Sequence, residues 1–106
     1  MQRITDKQLD NLCEYLNKLT NSPLEYSTRE PQPDGSTKFK ANIGHYHISH
    51  AYGGVCLHRV VNEGGGINTP LIYGHVPKRE LYNAMQAFIR GLEAVRYSDV
   101  NIQKAA

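Results

Sequence analysis

The residues best able to do chemistry crowd into the stretch Gly44–Glu63, GHYHISHAYGGVCLHRVVNE, which holds four of the five histidines and one of the two cysteines. His45 and His47 precede the dipeptide Gly53-Gly54, and Cys56 and His58 follow it. Glycines supply the positive φ angles of a tight two-residue turn. The flanks 45–52 and 55–61 have the Tyr, Ile, Val and His content of strands. A hairpin closed there sets Tyr52 against Val55 and pairs even positions of the first strand with odd positions of the second. One face then carries Tyr46, Ile48, His50 and Tyr52 with Val55, Leu57, Arg59 and Val61. The other carries His45, His47 and Ser49 with Cys56, His58 and Val60.

The second face gathers three imidazoles, a hydroxyl and a thiol. His45-x-His47 opposite Cys56-x-His58 offers donors suited to zinc, although a pleated strand spaces same-face partners about 7 Å apart. Cys56 with His47 or His58 also has the parts of a thiolate–imidazole pair, with Glu63 or Glu80 as carboxylate partner. No strained elbow or helix N-terminus presents that sulfur, however. Ligand binding asks less of the residues. Tyr46, Tyr52 and Tyr73 can stack on a flat ring, and His47, His58 and His75 can hydrogen-bond its edges. Arg59, Lys78 and Arg79 can pair phosphates. Asn62 and Glu63 lead into Gly64-Gly65-Gly66, whose amides can approach an anion. Binding of a small anionic, nucleotide-like ligand without turnover uses all these groups and needs no cofactor. A zinc site at His45, His47, Cys56 and His58, or a nucleic-acid partner, is the alternative.

Two helices and the flanking strands must position this stretch. Thr5 with Gln8 forms a capping box, and Ile4 can staple onto Leu9. Leu9, Leu12, Leu16 and Leu19 make one apolar stripe, with Asn11, Glu14, Asn17 and Lys18 on the wet side, until Thr20-Asn21-Ser22-Pro23 ends the helix. Residues 24–28 read as a strand, Glu30–Gly35 as a turn and 38–43 as an alternating strand. The apolar parity changes at Gly44, which predicts a turn or bulge there. Pro77 suits the first position of a second helix whose stripe is Leu81, Ala84, Met85, Phe88 and Leu92. The spacing therefore predicts an α+β fold: a helix, an antiparallel sheet of about four strands and a helix, with both helices on one sheet face. The domain spans 1–96, and 97–106 forms a loose tail. The histidine face, left bare, would make the protein a homodimer or bind something there.

At 106 residues the chain holds one modest core, and a net charge of +2 permits an anionic ligand without requiring nucleic acid. The sequence shows neither an 18-residue apolar run nor a signal-peptide pattern, so a cytoplasmic protein with no membrane partner and two free thiols is expected.

The residues Ala51–Gly66 (AYGGVCLHRVVNEGGG) and Gly74–Tyr82 (GHVPKRELY) resemble small proteins encoded by tailed bacteriophages and prophages. That resemblance implies a bacterial cytoplasm as the setting and a role in blunting host functions, such as sequestering a nucleotide signal of antiviral defence. A looser likeness, over Leu9–Leu19, Pro23–Tyr26 and Pro77-Lys78-Arg79 before Ala84–Phe88, is to double-stranded RNA-binding domains. It implies phosphate contacts from Lys78 and Arg79. The Gly-Pro-x-His loop of those domains is absent.

Overall fold

Helix α1 (Asp6–Leu19) begins at its capping box: the Gln8 amide donates to Thr5 Oγ1 at 3.2 Å, and the Thr5 amide donates to Gln8 Oε1 at 2.8 Å. The computed structural model describes residues 3–105, with side chains described up to residue 96. Ile4 is buried in the same core cluster as Leu9, as a hydrophobic staple requires. The chain continues through β1 (Ser27–Pro31), β2 (Thr37–Ala41), β3 (Tyr46–Ala51), β4 (Gly54–Val60) and the short β5 (Ile67–Asn68) to α2 (Lys78–Ala105). Helix α2 runs through 97–105, part of the stretch expected as a loose tail, and the side chains of 97–106 lie outside the described residues. No helix is long and apolar enough to cross a membrane among the described residues.

The fold is α+β, with five strands divided between two antiparallel sheets, β1-β2 and β3-β4-β5, rather than one sheet of about four. Two features near Gly44 separate the sheets. The turn Asn42–His45, closed by the His45 amide donating to the Asn42 carbonyl, has Gly44 at φ +97°. The Gly44 amide and the His45 carbonyl both bond Val60, the pattern of a glycine bulge. Beyond it, the edge that a fourth strand would occupy is taken by a side chain. Asn17 Nδ2 donates to the Tyr46 carbonyl at 3.0 Å and Asn17 Oδ1 accepts from the Tyr46 amide at 2.8 Å. Asn17, expected on the wet side of α1, is thus only 3% exposed. The first strand starts later than expected and absorbs Pro31, which an edge strand tolerates.

Both helices cover one face of the larger sheet. Leu9 and Leu16 of α1 and Leu81, Met85 and Ile89 of α2 share a core with Tyr46, Val55 and Leu57. Complete burial of each such Leu contributes about 1.5–3 kcal/mol. The α2 stripe centres on 81, 85 and 89, so Ile89 is buried while Phe88 and Leu92 pack at its margin.

Candidate functional site

The hairpin turn forms one residue earlier than expected, which shifts the strand register by two. Ala51 pairs with Gly54, so the turn is Tyr52-Gly53, with φ of +53° and +72°. Positive φ at both central residues makes this a primed hairpin turn. Because the shift is two residues, the division between faces survives, but partners change: His47 now lies opposite His58 and Ser49 opposite Cys56. Gly54 serves close approach instead. A Cβ there would lie 2.9 Å from the Val76 carbonyl oxygen, because Val76 bridges Val55 along the other edge of β4.

The face expected to be bare is partly covered: His45, Cys56 and Val60 are buried, and His47, Ser49 and His58 are half-buried. The segment 69–75 leaves β5, crosses over β4 and returns at Val76, burying Cys56 to 1% exposure. Ser49 Oγ and His75 Nε2 hydrogen-bond at 3.1 Å, and Cys56 Sγ lies 3.7 Å from the Ile72 carbonyl. Tyr26 covers the other end, its ring 5.2 Å edge-on from His47. A continuous row of rings results. His45 stacks on His47 at 5.9 Å, His47 meets His58 at 5.3 Å, His58 meets His75 at 6.1 Å and His75 meets Tyr52 at 5.7 Å. Residues of the chain itself thus shield part of the face on which a dimer is expected.

Two rings of the row, His47 and His58, are held toward the neutral form. Burial, then the neighbouring His58 and His45, hold His47 below the usual imidazole range; burial, then His75, do the same for His58. His45 Nδ1 lies 2.8 Å from the Pro23 carbonyl, which can only accept, so that nitrogen carries the proton. His47 Nδ1 is buried with no hydrogen-bond partner among the described residues. Burial raises the Cys56 thiol, with a Gly74 backbone hydrogen bond opposing it, the reverse of what an activated nucleophile needs. No group of three or more His, Cys, Asp or Glu is placed to hold a metal ion among the described residues. The four zinc candidates share a face without converging on a point.

The triple-glycine loop also has a local task. The Gly65 amide donates to the Asn62 carbonyl at 3.1 Å, and the Gly66 amide to Asn62 Oδ1 at 2.8 Å. These bonds close the β4–β5 connection and occupy two amides that the sequence offers to an anion. Glu63 pairs with Lys40 at 3.5 Å, and its carbonyl accepts from the Ala41 amide, tying the two sheets together. Arg59 crosses the helix-side face instead of reaching the loop. Its guanidinium sits 4.9 Å from the Tyr46 ring centroid, and its Nε donates to the Gly44 carbonyl at 3.4 Å.

Lys78 and Arg79 lie at the other end of β4, since Val76 pairs with Val55 while Arg59 is four residues further along, about 13 Å of strand. Here the first turns of α1 and α2 meet the hairpin turn around a cleft of about 790 Å³, lined by Arg3, Thr5, Asp6, Gly53, Lys78 and Arg79 among others. Lys78 Nζ pairs with Asp6 at 3.0 Å, which holds the Asp6 carboxyl below its usual range. That pair also offsets the poor placement of a lysine at a helix start. Tyr52, next to Gly53, is 98% exposed, with His75 packed edge-on behind it. Tyr52, His75, Lys78 and Arg79 thus belong to one end of the sheet, and Tyr46, Arg59, Asn62 and Gly64–Gly66 to the other. Arg3 and Asp6 carry no sequence signal for this role, because only the packing of two helix starts brings them in. No family model matches the chain, and neither curated proteins nor solved structures give a match.

Proposed function

We propose that the protein binds a small phosphate-bearing, nucleotide-like anion in the cleft between the two helix starts and releases it unchanged. The observation that supports this reading is the meeting of three cationic side chains, Arg3, Lys78 and Arg79, with the N-terminal turns of both helices in one cleft. Helix N-termini and basic side chains favour the same charge. Tyr52 beside the cleft offers a ring face to a base. The buried, raised Cys56 thiol offers no activated nucleophile, and His47 and His58 are held below the usual imidazole range, in keeping with capture without chemistry. In the phage setting implied by the sequence resemblance, capture would remove a nucleotide signal of host defence.

Isothermal titration with ATP and with pyrophosphate tests this. Binding should weaken as salt rises. It should fall at least tenfold in the double variant Lys78→Ala/Arg79→Ala and persist in Arg59→Ala, with the ligand recovered intact. Equal affinity in wild type and double variant would remove the site. Retardation of duplex RNA without nucleotide binding would move the function to nucleic acid.

A further inference from the structure

The outer edge of β3 is closed at one point and open beyond it. Val60 donates to the His45 carbonyl, which fixes the alternation of the β3–β4 ladder. Tyr46, Ile48 and His50 therefore turn their backbone N–H and C=O away from β4. Asn17 satisfies both groups of Tyr46. Among the described residues, no side chain caps Ile48 or His50 in that way. An open row of strand donors and acceptors is a template for another strand.

What lies beside this edge sets the chemistry of a partner. A cleft of about 490 Å³ runs between α1 and β3, lined by Asp10, Glu14, Glu25, Leu24 and Ile48 among others, with no Lys or Arg among the described lining residues. Lys18 pairs with Glu14 at 3.1 Å, which leaves Asp10 and Glu25 as the uncompensated carboxylates of the cleft among the described residues. Leu24, 54% exposed, adds an apolar lip.

We propose that this edge docks an extended basic segment of a partner protein. The segment adds a strand along Ile48–His50, places apolar residues against Ile48 and Leu24, and brings Arg or Lys to Asp10 and Glu25. Main-chain pairing supplies affinity and the acidic wall selects the sequence. A second copy of the chain fits less well, since edge-to-edge pairing would set two acidic clefts against each other. The surface is distinct from the cleft at the helix starts.

The test uses the whole protein and two synthetic acetylated peptides, one alternating Val and Arg, the other Val and Glu. Fluorescence anisotropy should show binding of the Val/Arg peptide at least tenfold tighter than the Val/Glu peptide. Hydrogen exchange at the Ile48 and His50 amides should slow when it binds. Ile48→Pro should weaken binding at least tenfold while leaving the β3–β4 ladder intact, because the lost N–H points outward. Asp10→Asn with Glu25→Gln should abolish the preference for arginine. Should Ile48→Pro fail to fold, the exchange map of the wild-type protein and the charge variants decide. Equal binding of both peptides, or Val/Arg binding without slowed exchange at Ile48 and His50, would overturn the assignment. Edge amides protected without peptide, with a concentration-dependent mass, would give the edge to a second copy instead.

Discussion

Replacing Asn17 with alanine isolates the contact that ends the larger sheet and fastens α1 to it. Asn17 makes two hydrogen bonds, of 3.0 and 2.8 Å, to the backbone of Tyr46, and is 3% exposed. Each bond contributes about 0.5–1.5 kcal/mol net, and an orphaned buried backbone group adds a desolvation cost of about 1–3 kcal/mol. Tyr46 borders an open cleft that water can enter, which limits the second cost. The expected loss is therefore about 2–3 kcal/mol. At about 4–8 °C per kcal/mol for a domain of this size, the thermal midpoint should fall by about 10–20 °C. Asn17→Asp sharpens the test. Its carboxylate still accepts from the Tyr46 amide but faces the Tyr46 carbonyl, so the charged form is disfavoured and its folded pKa rises. The penalty is then full above that folded pKa and fades as pH falls toward the unfolded value of about 3.9. Urea titrations followed by far-ultraviolet circular dichroism give both quantities. A change under about 0.5 kcal/mol for Asn17→Ala would refute the reasoning and make Asn17 a bystander in the core.

The histidine row makes stability depend on pH: the folded pKa values of His47 and His58 lie below the ordinary 6.5, so the unfolded chain takes up protons first. Urea midpoints should hold above pH 6.5 and drop as pH falls from there through the folded values, and His47→Gln should flatten that slope. The Cys13 thiol is pushed up to about 12 by burial and by Asp10, and burial raises Cys56 as well. Both should resist iodoacetamide at neutral pH until urea unfolds the protein, as read by intact mass, and labelling of native protein would contradict their burial. Gly54→Ala should cost about 1–3 kcal/mol because its Cβ meets the Val76 backbone. Gly53→Asn should cost only a few tenths, since open space surrounds Gly53 and asparagine accepts its φ of +72°. Thermal melts compare the two, and a reversed order would misplace the turn.

Local rules made the helices, the hairpin and the break at Gly44 legible in the sequence. The capping box, the leucine spacing and the parity change at Gly44 each act within a few residues, and each forms as expected. The hairpin's division into an apolar and a histidine face was legible too, because a two-residue register shift preserves it. Asn17 left a fainter trace: its spacing from Cys13 puts it on the buried side, but its polarity argues for water. Tertiary structure decided what that polarity is for, by bringing the unpaired Tyr46 backbone to it from 29 residues away. It likewise decided that the segment 69–75 covers one end of the histidine face and Tyr26 the other, that Asn62 occupies two of the three glycine amides, and that Lys78 meets Asp6 far from Arg59. Sequence periodicity reports which side of an element is buried. Which elements share an end of the sheet depends on long-range packing, and the grouping of the candidate site's charges followed from that packing alone.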